Sequence, residues 1–381
     1  MKKTLAAVAV LGAFAGSALA ADVQLYGVVD TGLRYTHFDG DAAAAGYDAV
    51  DKFEMKSGQQ SGSRFGFKGT EDLGNGLTVG FILENQFNSD DGSLPDSDHF
   101  FRREASLFLE GGFGKIAMGR IGSINNGVSS WAQFGMLSAF GTSWDYSAQM
   151  GTWAVGAGIW DNMIAYQTPT FAGFTVYAQY GMGSNNNENE SSSDRYYALG
   201  AKYANGPLNL YLAVDSINYQ TADLTAGVNA DDIDDSLTVT FGGNYDFEVV
   251  KLFAGAQYYD EAKISTAFGL LDSADYNAQR YAGKFKGWSL GVSASIPAAG
   301  GQVLVGAGYM DAEAADSQKA AKDDELTRWV VSAGYDYPLS KRTNVYGILT
   351  YAQDSLDYTH TAAKDQDPTV FAAMIGLRHK F

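Results

Sequence analysis

Ser63-Arg64-Phe65-Gly66-Phe67-Lys68-Gly69-Thr70-Glu71-Asp72-Leu73-Gly74-Asn75-Gly76-Leu77-Thr78-Val79-Gly80-Phe81-Ile82-Leu83-Glu84 is the stretch that decides the fold. Phe65 and Phe67 alternate with Arg64, Gly66 and Lys68, and Leu77, Val79, Phe81 and Leu83 alternate with Thr78, Gly80, Ile82 and Glu84. A period of two is that of a strand whose faces meet different surroundings. Gly74-Asn75-Gly76 between the runs reads as a tight turn, so the stretch is a hairpin. The alternation begins at Val23, where Leu25, Val29, Leu33 and Tyr35 interleave with Gln24, Tyr26, Asp30 and Arg34. It continues to Phe381. Strands are expected near 23–36, 60–73, 76–88, 98–111, 114–121, 161–168, 173–182, 195–204, 207–217, 236–247, 250–260, 286–296, 301–311, 326–337, 342–353 and 370–381. That is about sixteen, and bacterial outer-membrane barrels have even strand numbers.

Connector lengths support closure into a transmembrane barrel. Short turns such as Gly74–Gly76, Gly111–Gly114, Asn205–Pro207, Pro297–Gly301 and Pro338–Arg342 alternate with long polar stretches, as periplasmic turns alternate with external loops. Aromatics recur near strand ends, among them Tyr26, Tyr35, Tyr180, Tyr203, Tyr211, Tyr245, Tyr258, Tyr259, Tyr309, Tyr335, Tyr337, Tyr346 and Tyr351, and are expected to form two interfacial girdles. A soluble sandwich or propeller would also show period two, but it fits an all-round apolar face less well. In lipid every backbone group must be paired, so the sheet has to close.

The 381 residues are 46% hydrophobic and only 18% charged, with no cysteine and a net charge of −18. With 44 acids against 26 bases the chain is no nucleic-acid binder. Lys2 and Lys3, an apolar run from Leu5 to Ala15 and the small-residue segment Ala18-Leu19-Ala20 have the layout of a secretory signal peptide over 1–20, leaving 21–381 as one barrel domain. Loss of two lysines and no acid takes the charge from −18 to −20. Stability must then come without disulfides.

Several segments resemble the general Gram-negative porins, in particular their neisserial and betaproteobacterial branch. They are Val23-Gln24-Leu25-Tyr26-Gly27, Ser63 through Leu77, Gly112-Phe113-Gly114-Lys115 with Gly119-Arg120, Tyr335 through Thr343, and Gly376-Leu377-Arg378-His379-Lys380-Phe381. The resemblance spans the mature chain. It implies a homotrimer of sixteen-stranded barrels in the outer membrane, each an aqueous pore narrowed by an inward-folded loop. It also implies that terminal Phe381 is read by the barrel-assembly machinery. In this family a wall arginine corresponds to Arg64 and another to Arg103, and an arginine usually precedes the Asp-Asn pair matching Asp161-Asn162. Here Ile159 and Trp160 stand at that place.

The segment 122–160 is too long for a passive connector and is assigned to the constriction. It carries Trp131, Phe134, Met136, Phe140, Trp144, Tyr146, Met150 and Trp153, with Asp145 as its clear acid ahead of Asp161. The aromatics read as anchors against the wall or, alternatively, as a ladder guiding a ligand. Parity sends Arg34, Arg64 and Lys68 into the lumen. It also sends Arg102 and Glu104 inward and Arg103 outward, against the family alignment. Arg120 is a further lumen candidate, with an interfacial anchor as its alternative, and Asp145 and Asp161 are also assigned to the pore lining.

Acidic stretches at 39–51, 90–98, 188–194, 231–235, 311–316 and 323–325 fall in the expected external loops. Together they would form a negative vestibule, from which mild cation selectivity is expected at low salt. Weak divalent-ion bridging to lipopolysaccharide is conceivable there, but none of the stretches has the spacing of a calcium loop. No metal or cofactor is implied. His37, His99, His360 and His379 are scattered, and no His-Glu-x-x-His, Gly-x-Ser-x-Gly or phosphate loop occurs, so an enzyme is not expected. The reading is a channel for passive diffusion of ions and small hydrophilic solutes. Its rivals are a ligand-selective channel and a structural or adhesive barrel.

Overall fold

The computed structural model describes residues 23–39, 49–142, 144, 151–155, 158–183, 193–219, 234–264, 284–316, 324–357, 365 and 367–381. The expected leader 1–20 and Asp145 lie outside them, as do Tyr146 and Met150. The strands are β1 (Gln24–Asp39), β2 (Ala49–Ser57), β3 (Arg64–Gly74), β4 (Leu77–Gln86), β5 (Glu104–Gly111), β6 (Gly114–Gly122), β7 (Ala154–Val155), β8 (Ile159–Gln167) and β9 (Phe174–Gly181). They continue as β10 (Arg195–Asn205), β11 (Leu208–Asn218), β12 (Leu237–Asp246), β13 (Lys251–Ile264), β14 (Lys284–Ala298), β15 (Gly301–Ala314), β16 (Glu325–Pro338), β17 (Thr343–Asp357) and β18 (Thr369–Lys380).

All pairings are antiparallel, and β1 closes the sheet on β18 from Val28 opposite Lys380 to Asp39 opposite Thr369. On its other edge β1 pairs with β3 over Gln24–Val28 and with β2 over Thr31–Asp39. β2 and β3 are therefore two halves of one wall strand. The two-residue β7 belongs to the inward loop and takes the edge of β13 at Lys263 and Ile264, beyond Asp260, where β12 begins. Of the eighteen segments, merging β2 with β3 and setting β7 aside leaves a closed barrel of sixteen strands.

Outside, ring pairs mark two levels. Phe174–Tyr203 and Tyr245–Phe247, with centroids 4.6 and 4.4 Å apart, lie beside the short turns. Tyr35–Phe371, Tyr180–Tyr197, Trp288–Tyr309 and Trp329–Tyr351 lie toward the other rim. The expected girdle set needs one correction: Tyr211, Tyr259 and Tyr346 are almost wholly buried within the barrel, and Tyr26 reaches inward to Glu84. Proximity to a strand end does not fix which face a residue occupies; parity does.

The strand expected over 60–73 begins only at Arg64. Gly58 has φ +72°, and Gly58–Ser63 leaves the sheet and folds into the lumen. The carboxylate of Asp30 holds it there. Its Oδ2 accepts from the backbone N–H groups of Gln60 and Ser61 at 2.9 and 2.7 Å, and its Oδ1 accepts from Tyr346 Oη at 2.5 Å. The Gln60 side chain donates to Asp336 at 3.0 Å and accepts from Asn344 at 2.8 Å. Asp30 is fully buried, and a buried carboxylate is tolerated only when its lone pairs are filled in this way.

Candidate pore constriction

The connection between β6 and β8 folds into the barrel, and its aromatics are anchors. Trp131, Phe134, Phe140, Trp144 and Trp153 are buried against the inner wall, while Met136 packs at its edge. Trp131, Phe134, Leu137 and Trp153 join wall residues Phe108, Met163, Tyr177, Tyr196 and Tyr211 in one cluster. Phe140 and Trp144 join Leu304, Tyr346, Ile348 and Met374 in another. A ligand-guiding ladder would need exposed ring faces, which these five side chains do not offer.

The wall is built to receive them. A Cβ at Gly255 would stand 2.8 Å from the Trp153 ring, so the indole seats only because position 255 has no side chain. Polar groups complete the docking. Gln179 accepts from Ile124 N–H at 2.8 Å and donates to Gly122 O at 3.1 Å. Buried Glu104 accepts from Ser130 N–H at 2.8 Å, and Asn244 donates to Met136 O at 2.8 Å. Arg328, fully buried, grips Asp354 with Nε and Nη2 at 2.6 and 2.7 Å and donates Nη1 to Gly151 O at 2.7 Å. At the loop's far turn, Trp144 N–H donates to Gln60 O at 2.9 Å, so the loop also meets the inward Gly58–Ser63 segment.

These contacts run from β5 round to β17 and the adjoining Met374, leaving the arc of β1, β3 and β4 to face the passage. That arc is charged. Arg34 projects inward, 6% exposed, and donates Nε and Nη2 to Glu54 Oε1 at 3.1 and 2.6 Å. Arg64 bonds Ser61 Oγ and Gly62 O, each at 2.9 Å, with Nε 3.5 Å from Glu84 Oε2. Arg103 meets the other oxygen of Glu84 through Nε at 2.5 Å and donates to Gln86 at 3.2 Å. Tyr26 Oη adds a bond to Glu84 at 3.0 Å. Lys68 lies lower, its Nζ 5.2 Å from the Tyr26 ring centroid. One carboxylate thus serves two guanidinium groups. The described part of the facing loop, 123–142 with Trp144, 151–155 and Gly158, contains no ionisable side chain.

Parity fails at Arg102 and Arg103 because β5 starts only at Glu104, so alternation does not extend to them. Arg103 turns to the lumen. Arg102 instead approaches Asp96 at 4.0 Å, and its carbonyl accepts from Arg120 Nε at 2.9 Å. Arg120 and Asp161, both expected to line the pore, pair with each other at 2.5 Å. A register shift between Gly119 and Ile121 puts Ile121 opposite Trp160 in the lumen cluster, which leaves 120 and 161 on the opposite face. The extra residue lies on β8, where Asn162 takes φ +52°, and on β6 Gly119 has φ +134°, where a Cβ would strike Ala105 O. His99 continues the chain of pairs, contacting Asp161 at 3.4 Å and Asp96 at 3.0 Å. These residues fasten the 87–103 connection to the wall and do not line the passage.

The cation preference expected from the acidic loops has no counterpart in the Arg64–Glu84–Arg103 cluster, where two guanidinium groups share one carboxylate. The Asp-Asn pair lacks its preceding arginine because Trp160 stacks on Tyr196, 5.5 Å between centroids, and serves packing instead. Sequence reasoning missed Glu84 as the shared acceptor, Asp30 as the anchor and the inward Gly58–Ser63 segment. The run Ser57-Gly58-Gln59-Gln60-Ser61-Gly62-Ser63, polar and without alternation, was the available signal.

A family profile described as Gram-negative porin matches residues 6–357. An outer membrane porin protein of Bordetella pertussis is 34% identical and one of Delftia acidovorans 31% identical, each over the full length of both chains. Among solved structures, an anion-selective porin from Comamonas acidovorans superposes with a TM-score of 0.68 at 25% identity, covering 95% of this chain and all of that one.

Proposed function

Since the chain belongs to the Gram-negative porin family and forms an outer-membrane β-barrel channel, not an enzyme, we propose that it passes small hydrophilic solutes with a preference for anions set at the Arg64–Glu84–Arg103 cluster. The carrying observation is the charge ratio: two arginines share one acid across from a loop without ionisable groups among its described residues. Charges at a narrow, low-dielectric wall act at close range, whereas outer acids are screened over ~10 Å at 0.1 M salt. The anion selectivity of the Comamonas acidovorans neighbour points the same way. The mild cation preference read from net charge is therefore withdrawn.

The working unit is a homotrimer in lipopolysaccharide-containing outer membrane, and Phe381 is the residue read during assembly. Phe381 sits where such a signal would be offered: its backbone exchanges two 3.1 Å bonds with Gly27 while its ring remains 45% exposed. Unheated protein should migrate as an SDS-resistant oligomer that becomes monomeric on boiling. Channel activity is tested in planar bilayers, where stepwise conductance that does not saturate with salt supports open diffusion, and silence would overturn it.

A further inference from the structure

At the periplasmic end of the inner wall, a second group of cations stands apart from the narrowing. The turn between β16 and β17, the end of β18 and the β14–β15 turn enclose a cavity of about 340 Å³ lined by Lys341, Arg342, Arg378 and Lys380, with Asp336 the one acid in its lining. Asp336 can offset only one of these four charges, and both of its oxygens are engaged by side-chain amides. Its Oδ2 takes the Gln60 amide at 3.0 Å and its Oδ1 the Asn344 amide at 2.6 Å. Asn344 then turns its own oxygen to Arg378 Nε at 3.0 Å, which fixes the guanidinium while leaving its two terminal nitrogens uncommitted. Among the described residues, no carboxylate lies within ion-pair distance of Arg378, Lys380, Lys341 or Arg342.

Four like charges gathered around a single acid repel one another, and a cleft with a net charge of one sign concentrates counter-ions of matching geometry. A guanidinium held by its Nε presents a fork suited to two oxygens of one anion, and lysines add point charges around it. Arg378 also lies within electrostatic reach of Arg64, so the cluster continues the positive wall downward from the narrowing.

We infer that this cavity is an anion-binding site at the periplasmic mouth, taking small oxyanions of two or more charges such as phosphate-bearing or polycarboxylate solutes. It rests on the channel reading only in that the barrel is an open pore, and it does not depend on where selectivity is set. Such a site would hold a multivalent solute as it leaves the pore.

The probe is inorganic pyrophosphate. Titration calorimetry on the native oligomer in detergent should show one site per chain, weakened at least tenfold in Lys341→Ala/Arg342→Ala, whose side chains make no hydrogen bond in the folded chain. Arg378→Gln should weaken it similarly, whereas Arg64→Ala should retain it. In bilayers, pyrophosphate added to one side should block at a concentration at least tenfold lower than from the other. Absence of binding, or binding equal in all variants, overturns the site even if the channel conducts and prefers anions. Reversal potentials in KCl report on the narrowing separately.

Discussion

Arg103 closes on Glu84 with Nε 2.5 Å from Oε1, although strand alternation would have turned residue 103 toward lipid. Its backbone N–H already donates to Glu84 O at 3.1 Å, so the side chain leaves from the last residue before β5 begins. A position just outside a strand is freed from the strand's parity.

Because Glu84 is the one acid between Arg64 and Arg103, Glu84→Gln should strengthen anion preference without removing either cation. Arg103→Ala should weaken it. Reversal potentials for the two variants should move in opposite directions from wild type; a shift of both in one direction would show that Glu84 does not act as the local counter-charge.

Arg328→Ala strands buried Asp354 and releases Gly151 O from its donor. Breaking a buried pair from one side costs about 3–5 kcal/mol. We expect a lowered unfolding temperature and noisier, larger conductance as this arm of the loop loosens. Arg328→Met with Asp354→Leu should recover much of the stability but not the quiet baseline, since the bond to Gly151 O stays broken.

Gly255→Leu places a side chain where the Trp153 indole rests. Overpacking typically costs about 1–3 kcal/mol. The expected readout is a displaced loop and higher single-channel conductance, with oligomer formation retained. An unchanged conductance would mean that Trp153 does not hold the loop in place.

Phe381→Ser removes the exposed ring at the end of β18 but leaves its paired backbone. The amount of folded, heat-modifiable barrel in the outer membrane should fall severalfold, while protein refolded in detergent should form the same channel. Equal membrane yields would contradict a role for Phe381 in assembly.

Much of the barrel was legible in the sequence because alternation and turn spacing are local properties. Val28, Asp30 and Arg34 on β1 lie on the face their parity assigns. What stayed hidden depends on partners far along the chain. The departure of Gly58–Ser63 from the sheet is compelled by Asp30, Asp336 and Asn344, and the seats for the loop aromatics are wall glycines whose purpose appears only when the loop arrives. Arg120 follows the alternation of β6, on the face of exposed Ile116 and Met118, whereas Asp161 is turned outward by the extra residue that β8 carries opposite it, which no periodicity records. Net charge misled for a related reason: it counts every acid equally, whereas selectivity weights charges by their distance from the narrowing.

The most direct test of that weighting is the reversal potential of wild type and Arg64→Ala across a KCl gradient at 0.1 M and at 1 M salt, where the Debye length falls from ~10 to ~3 Å. An anion-preferring wild type at both concentrations, with Arg64→Ala moved toward cations, is the result expected from the Arg64–Glu84–Arg103 cluster. A wild type that prefers cations at 0.1 M salt, or a reversal potential unmoved by Arg64→Ala, would contradict it.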